Sequence, residues 1–110
     1  MEFEKLTELS ETEKVELSRK KLNEGLEYTK NREQEKAKEA LEIARLTAEE
    51  LEKSNSAETR AIAKCILYVM YLKGRGVLAD PIKAVELLAE AYKLNYPKDR
   101  IFEYMRLGLR

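Results

Sequence analysis

The chain has 110 residues, in which 21 Lys and Arg balance 21 Asp and Glu, with no histidine, one cysteine, four glycines and two prolines. Zero formal charge leaves no global field to recruit nucleic acid or an anionic membrane. The lack of histidine removes Ser-His and Cys-His nucleophile pairs, and a single cysteine excludes both an internal disulfide and a Cys/His zinc site.

Nineteen of the acids are Glu, and Lys, Leu and Ala are abundant. These side chains lose little freedom in a helix, so strands have little support. The length suits one domain, 1–110, able to bury a core unaided. Charge is uneven along it: residues 1–60 carry 16 acids and 12 bases, residues 61–110 five acids and nine bases.

Met1–Leu9 places Phe3, Leu6 and Leu9 three apart, enough for a turn or two of helix that docks on a core or frays. No basic stretch followed by an apolar one opens the chain, so no secretory signal is expected and the default compartment is cytoplasmic. Ser10-Glu11-Thr12-Glu13 reads as a capping box that starts a helix. Val15, Leu22, Leu26 and Tyr28 give it a narrow apolar face, and Asn31 is expected to close it in the left-handed conformation. A second helix, from about Glu33 to Lys53, repeats Ala37, Leu41, Ala44, Ala48 and Leu51 at three- and four-residue steps. Asn55 is expected to close it and Ser56 to cap the next.

The third helix, about Ala57–Lys73, contains AIAKCILYVMYL, in which only Lys64 is neither apolar nor aromatic. Twelve residues fall short of the roughly 20 that span a bilayer, so a helix walled in by other helices is expected, and the centre of the core with it. Gly74 stands where a helix-ending glycine belongs, and Asp80-Pro81 sets an N-cap acid before a proline at the first helical position. The fourth helix carries Ile82, Val85, Ala89 and Tyr92 on one face and Ala84, Leu87, Leu88, Ala91 and Leu94 on another, and both are expected to be covered. After Asn95-Tyr96-Pro97 a last helix, from about Lys98, bears Ile101, Phe102, Tyr104, Met105, Leu107 and Leu109 over more than one face. Any left uncovered would favour a homodimer through this C-terminal helix. Short connections force the five helices into antiparallel hairpins, an all-α stack or bundle.

Tyr71-x-x-Gly74-x-Gly76-Val77, then Asp80-x-x-Lys83-Ala84, Leu88 and Ala91, resembles the Sel-one-like repeat, a relative of the tetratricopeptide repeat. Gly25, Tyr28, Ala37, Leu41 and Ala44 fall at spacings similar to an ordinary tetratricopeptide unit, with Arg32 standing where that unit has a turn glycine. The resemblance implies stacked helical hairpins whose concave face binds peptides, although the usual set of clamp residues is missing. Two units so unlike each other, with tidy caps and Glu/Lys surfaces, also look similar to a de novo designed helical protein assembled from natural fragments.

No catalytic, cofactor-binding or metal-binding residue is assigned. Cys65 reads as a buried hydrophobe. Gly74-Arg75-Gly76-Val77-Leu78-Ala79 matches a dinucleotide Gly-x-Gly-x-x-Ala string but follows a helix where that fingerprint follows a strand. Arg19-Lys20-Lys21 reads as a solvated face neutralised by Glu16, Glu24 and Glu27, and tyrosines 68, 71, 92, 96 and 104 with Phe102 read as core. The glutamates of Glu33-x-Glu35 and Glu49-Glu50 read as exposed charge. The expectation is a non-enzymatic structural protein with no cofactor and no nucleic-acid or membrane partner, or alternatively a helical-repeat module for a protein or peptide. A binding module should leave a contiguous apolar or charged concave patch exposed, whereas a fold-only design should cover its apolar residues.

Overall fold

The computed structural model describes residues 8–109, so the turn expected within Met1–Leu9 lies almost wholly outside the described residues. Five helices follow one another: α1 (Glu11–Lys30), α2 (Gln34–Leu51), α3 (Ala57–Lys73), α4 (Pro81–Lys93) and α5 (Lys98–Leu109). Among the described residues there is no strand, and no helix is long and apolar enough to cross a membrane.

Local chemistry sets the boundaries. The Ser10 hydroxyl accepts from the Glu13 amide at 3.2 Å while the Glu13 carboxylate accepts from the Ser10 amide at 3.1 Å, closing the capping box. Those hydrogen bonds hold the Glu13 carboxyl below its usual range. Ser56 accepts from the Thr59 amide at 3.3 Å, and Asp80 from the Lys83 amide at 3.1 Å ahead of Pro81. Each side chain supplies an acceptor that the first helical turn lacks. Gly74 ends α3 at φ 66°.

Two expected stops differ. Asn31 sits at φ −86°, and the left-handed residue is Arg32, at φ 63°. The Glu33 amide bonds back to the Tyr28 carbonyl at 2.8 Å, which moves the reversal one residue on. Asn55 closes nothing: α2 is already finished at Leu51, with Glu52 still right-handed. A left-handed L-residue costs about 1–2 kcal/mol, whereas glycine there costs only about 0.5–1 kcal/mol of extra unfolded-state freedom. Arg32 is exposed and makes no ion pair among the described residues. Arg32→Gly should therefore stabilise the protein by up to about 1 kcal/mol in urea melts. A loss would show that the arginine side chain holds the turn.

Helix α3 is the centre, packed against all four of the others. Cys65, Ile66, Val69 and Met70 are fully enclosed. Close approach of α1 to α2 depends on Gly25, where a Cβ would lie 2.5 Å from Leu41 Cγ, and on Ser18, whose hydroxyl donates to the Ala44 carbonyl at 2.9 Å. The α3–α4 loop folds back onto α2, because Gly76, at φ 74°, brings its Cα where a Cβ would meet Leu41 and Met70. Lys64 ties the chain crosswise, donating to Glu52 at 3.3 Å and Glu90 at 2.6 Å. Among the described residues every buried side-chain nitrogen and oxygen has a partner.

Helix α4 departs from expectation. Ala84, Leu87 and Ala91 are buried, but Ile82 is 74%, Val85 61% and Tyr92 37% exposed, with Leu78 at 91% below them. The elements that pack on α4, namely α3 and α5, both meet its other face, so the second apolar stripe has no cover among the described residues. On α5, Ile101 and Tyr104 are buried, Met105 and Leu107 partly so, and Phe102 stands out at 48%.

Candidate interaction groove

Along α1, Arg19, Asn23, Leu26, Glu27 and Lys30 recur at three- and four-residue steps, which puts them on one stripe of the helix. That stripe borders a groove. Facing it are Arg100, Tyr104 and Leu107 of α5 at one end, Lys73 and Arg75 at the end of α3 in the middle, and Lys38 and Leu41 of α2 at the other end. Three adjoining depressions make up the groove, of about 220, 640 and 260 Å³. The first two share Asn23 and Leu107, and the last two share Thr29 and Arg75.

The electrostatics of this concavity differ from the rest of the surface. Six cations line it, Arg19, Lys30, Lys38, Lys73, Arg75 and Arg100, against two carboxylates, Glu27 and Glu103. None of the six has a carboxylate within 4 Å among the described residues. Outside the groove some cations are paired, Lys21 with Glu24 at 3.2 Å, Arg45 with Glu49 at 2.9 Å, Lys53 with Glu50 at 3.3 Å and Lys36 with Glu33 at 3.3 Å. Others, such as Lys20, Arg32 and Lys93, have no ion pair among the described residues, so what sets the hollow apart is the excess of one sign. A chain of zero net charge thus sets six cations against two carboxylates along one hollow.

Arg19 is the deepest of the six. Its Nε donates to the Tyr104 hydroxyl oxygen at 2.8 Å, one terminal nitrogen reaches the Tyr96 hydroxyl at 3.5 Å, and the guanidinium carbon stands 6.0 Å from the Tyr104 ring centre. Burial works against its charge, and the Tyr104 and Tyr96 phenols outweigh that, so its pKa is raised. Burial pushes the Tyr104 phenol up to about 12 despite the arginine. The basic run Arg19-Lys20-Lys21 is therefore split: Lys21 is neutralised at the surface as expected, whereas Arg19 turns inward.

The remaining sequence candidates are scattered. Cys65 is enclosed in α3, its thiol pushed up to about 12 by burial. Gly74–Ala79 follows a helix and leads to Asp80, which caps α4. Tyr68, Tyr96 and Tyr104 belong to the core, Tyr71 packs against it, and Tyr92 and Phe102 face out. Among the described residues no three His, Cys, Asp or Glu side chains come together. The groove is not visible in the sequence because its cations come from four separate stretches. The one local signal is the Arg19, Asn23, Leu26, Lys30 stripe, which breaks the Glu/Lys pattern of α1.

No protein family, curated protein or solved structure matches this chain.

Proposed function

We propose that this chain is a non-enzymatic interaction module that holds a segment of a protein partner in the groove bounded by α1, α3 and α5. The observation that carries the reading is the set of six cations against two carboxylates around one concavity. Surface charges of a fold-only protein gain most when opposite signs intersperse, and concentrating one sign costs stability unless something of opposite sign arrives. The uncovered α4 stripe points the same way, since a scaffold with no ligand gains nothing by leaving Ile82, Val85 and Tyr92 in water.

A second reading is a designed structural protein without a biological ligand. It is favoured by the regular helix caps and by the full pairing of buried polar atoms among the described residues. The two part in solution. Amide chemical shifts of the full chain should be followed while acidic, basic and apolar peptides are added in turn. The module reading expects saturable shifts on α1, α5 and the end of α3 with at least one class, abolished in a Lys73→Glu, Arg75→Glu double variant. If no class gives saturable shifts, the structural reading stands in its place.

A further inference from the structure

The groove's chemistry specifies the kind of segment that fits it. We infer that it takes an extended acidic, leucine-bearing peptide with one carboxylate seated between Arg19, Arg100 and the Tyr104 hydroxyl, an inference that rests on the groove being the partner site. Arg19 is held by phenol oxygens that accept its hydrogens, so the phenols position the guanidinium without neutralising it. Its second terminal nitrogen has no partner among the described residues and remains a donor. The Tyr104 hydroxyl, having accepted from Arg19, keeps its own hydrogen to give. Arg100, the Asn23 amide and the Glu103 carboxylate line the same depression, so the incoming carboxylate sits on the side of the two arginines, away from Glu103. A carboxylate is the group that satisfies such donors together, because a charge-assisted pair with arginine is stronger and shorter than a neutral one.

Length and apolar content follow from the walls. From Arg19 to Lys30 the α1 stripe runs 11 residues, about 16 Å at the helical rise of 1.5 Å per residue. An extended peptide covers that distance in about five residues at roughly 3.3 Å each. Leu26 and Leu107, both partly exposed, lie between the cations, so the segment needs apolar side chains between its acids. Single-stranded nucleic acid fits less well. Its binding relies on bases stacked on open aromatic faces. Tyr104 is the sole aromatic lining the groove among the described residues, and it is 8% exposed and tied to Arg19.

The test is fluorescence anisotropy on the full chain, with a fluorescein-labelled octapeptide of alternating glutamate and leucine, its glutamine counterpart, and a labelled oligothymidine of similar length. The glutamate peptide should bind at least about tenfold more tightly than the glutamine peptide, and more weakly as salt rises, as expected where charge carries the recognition. Arg100→Glu lies on an exposed position and leaves the core intact. It should weaken binding about tenfold, whereas Lys53→Glu, outside the groove, should leave it unchanged. Equal binding of the glutamine peptide would overturn the acidic inference and keep the partner-site reading. Tighter binding of oligothymidine, or equal loss in Arg100→Glu and Lys53→Glu, would overturn the inference as well. Failure of both peptides, together with no response to the basic and apolar classes, would remove the module reading itself.

Discussion

Replacing Leu67 by alanine should lower the free energy of unfolding by about 2–5 kcal/mol. Leu67 is 2% exposed in the middle of α3, the helix that every other helix touches. Truncation removes three carbons of buried apolar side chain and leaves a void between helices that cannot all close around it. Against a total stability of about 5–15 kcal/mol for a domain of this size, that is a large fraction. The effect on the melting temperature should be about 4 °C or more per kcal/mol. Urea melts give the value directly, and a loss below about 1 kcal/mol would show that α3 is not the keystone of the fold.

Alkaline pH should destabilise the protein just as strongly. Burial raises the Cys65 thiol from 9.0 to about 12 and the Tyr104 phenol from 10.0 to about 12. In both, the folded form holds its proton after the unfolded chain has released it. Stability contributed by these groups is therefore complete below about pH 9 and is lost as pH rises towards 12. A tenfold difference in proton affinity between folded and unfolded chain is worth about 1.4 kcal/mol, so the two groups together withdraw several kcal/mol over that window. Equilibrium melts at stepped pH should show the decline starting near pH 9. Cys65→Ala should remove its early part, leaving an onset nearer pH 10, where unfolded tyrosine ionises. A flat profile up to pH 11 would mean that neither group is as enclosed as the packing indicates.

Most of the fold is legible in the sequence because it is written locally. Ser10, Ser56, Asp80-Pro81 and Gly74 act within four residues of where they stand, and each marks the helix end that its chemistry predicts. The apolar density of Ala61–Leu72 places α3 at the centre for a similar reason: nothing but burial accounts for it. Expectation and structure part where two local options are nearly equal or where tertiary packing decides. Asn31 and Arg32 are adjacent, and a single backbone bond to Tyr28 selects the arginine against its propensity. Neither apolar stripe of α4 is marked as the inner one by its composition; the positions of α3 and α5 choose. The groove is less legible still, since Arg19, Arg75 and Arg100 are distant in sequence and each taken alone is an ordinary surface charge.

The hydrogen bond from Arg19 to Tyr104 spans 85 positions and joins the first helix to the last. The extensive helix pairings, by contrast, link neighbours or next-neighbours along the chain. An all-helical topology of neighbour and next-neighbour pairings is expected to fold in about microseconds to milliseconds, because little loop entropy is lost before each contact forms. Closure between α1 and α5 carries the largest entropic cost for the fewest contacts, and is therefore expected to come last and to open first. The end of the groove between Arg19 and Arg100 exists only after that closure. A peptide that bridges Arg19 and Arg100 would thus bind the final folding step itself, slowing amide exchange across α5 while leaving α3 unaffected.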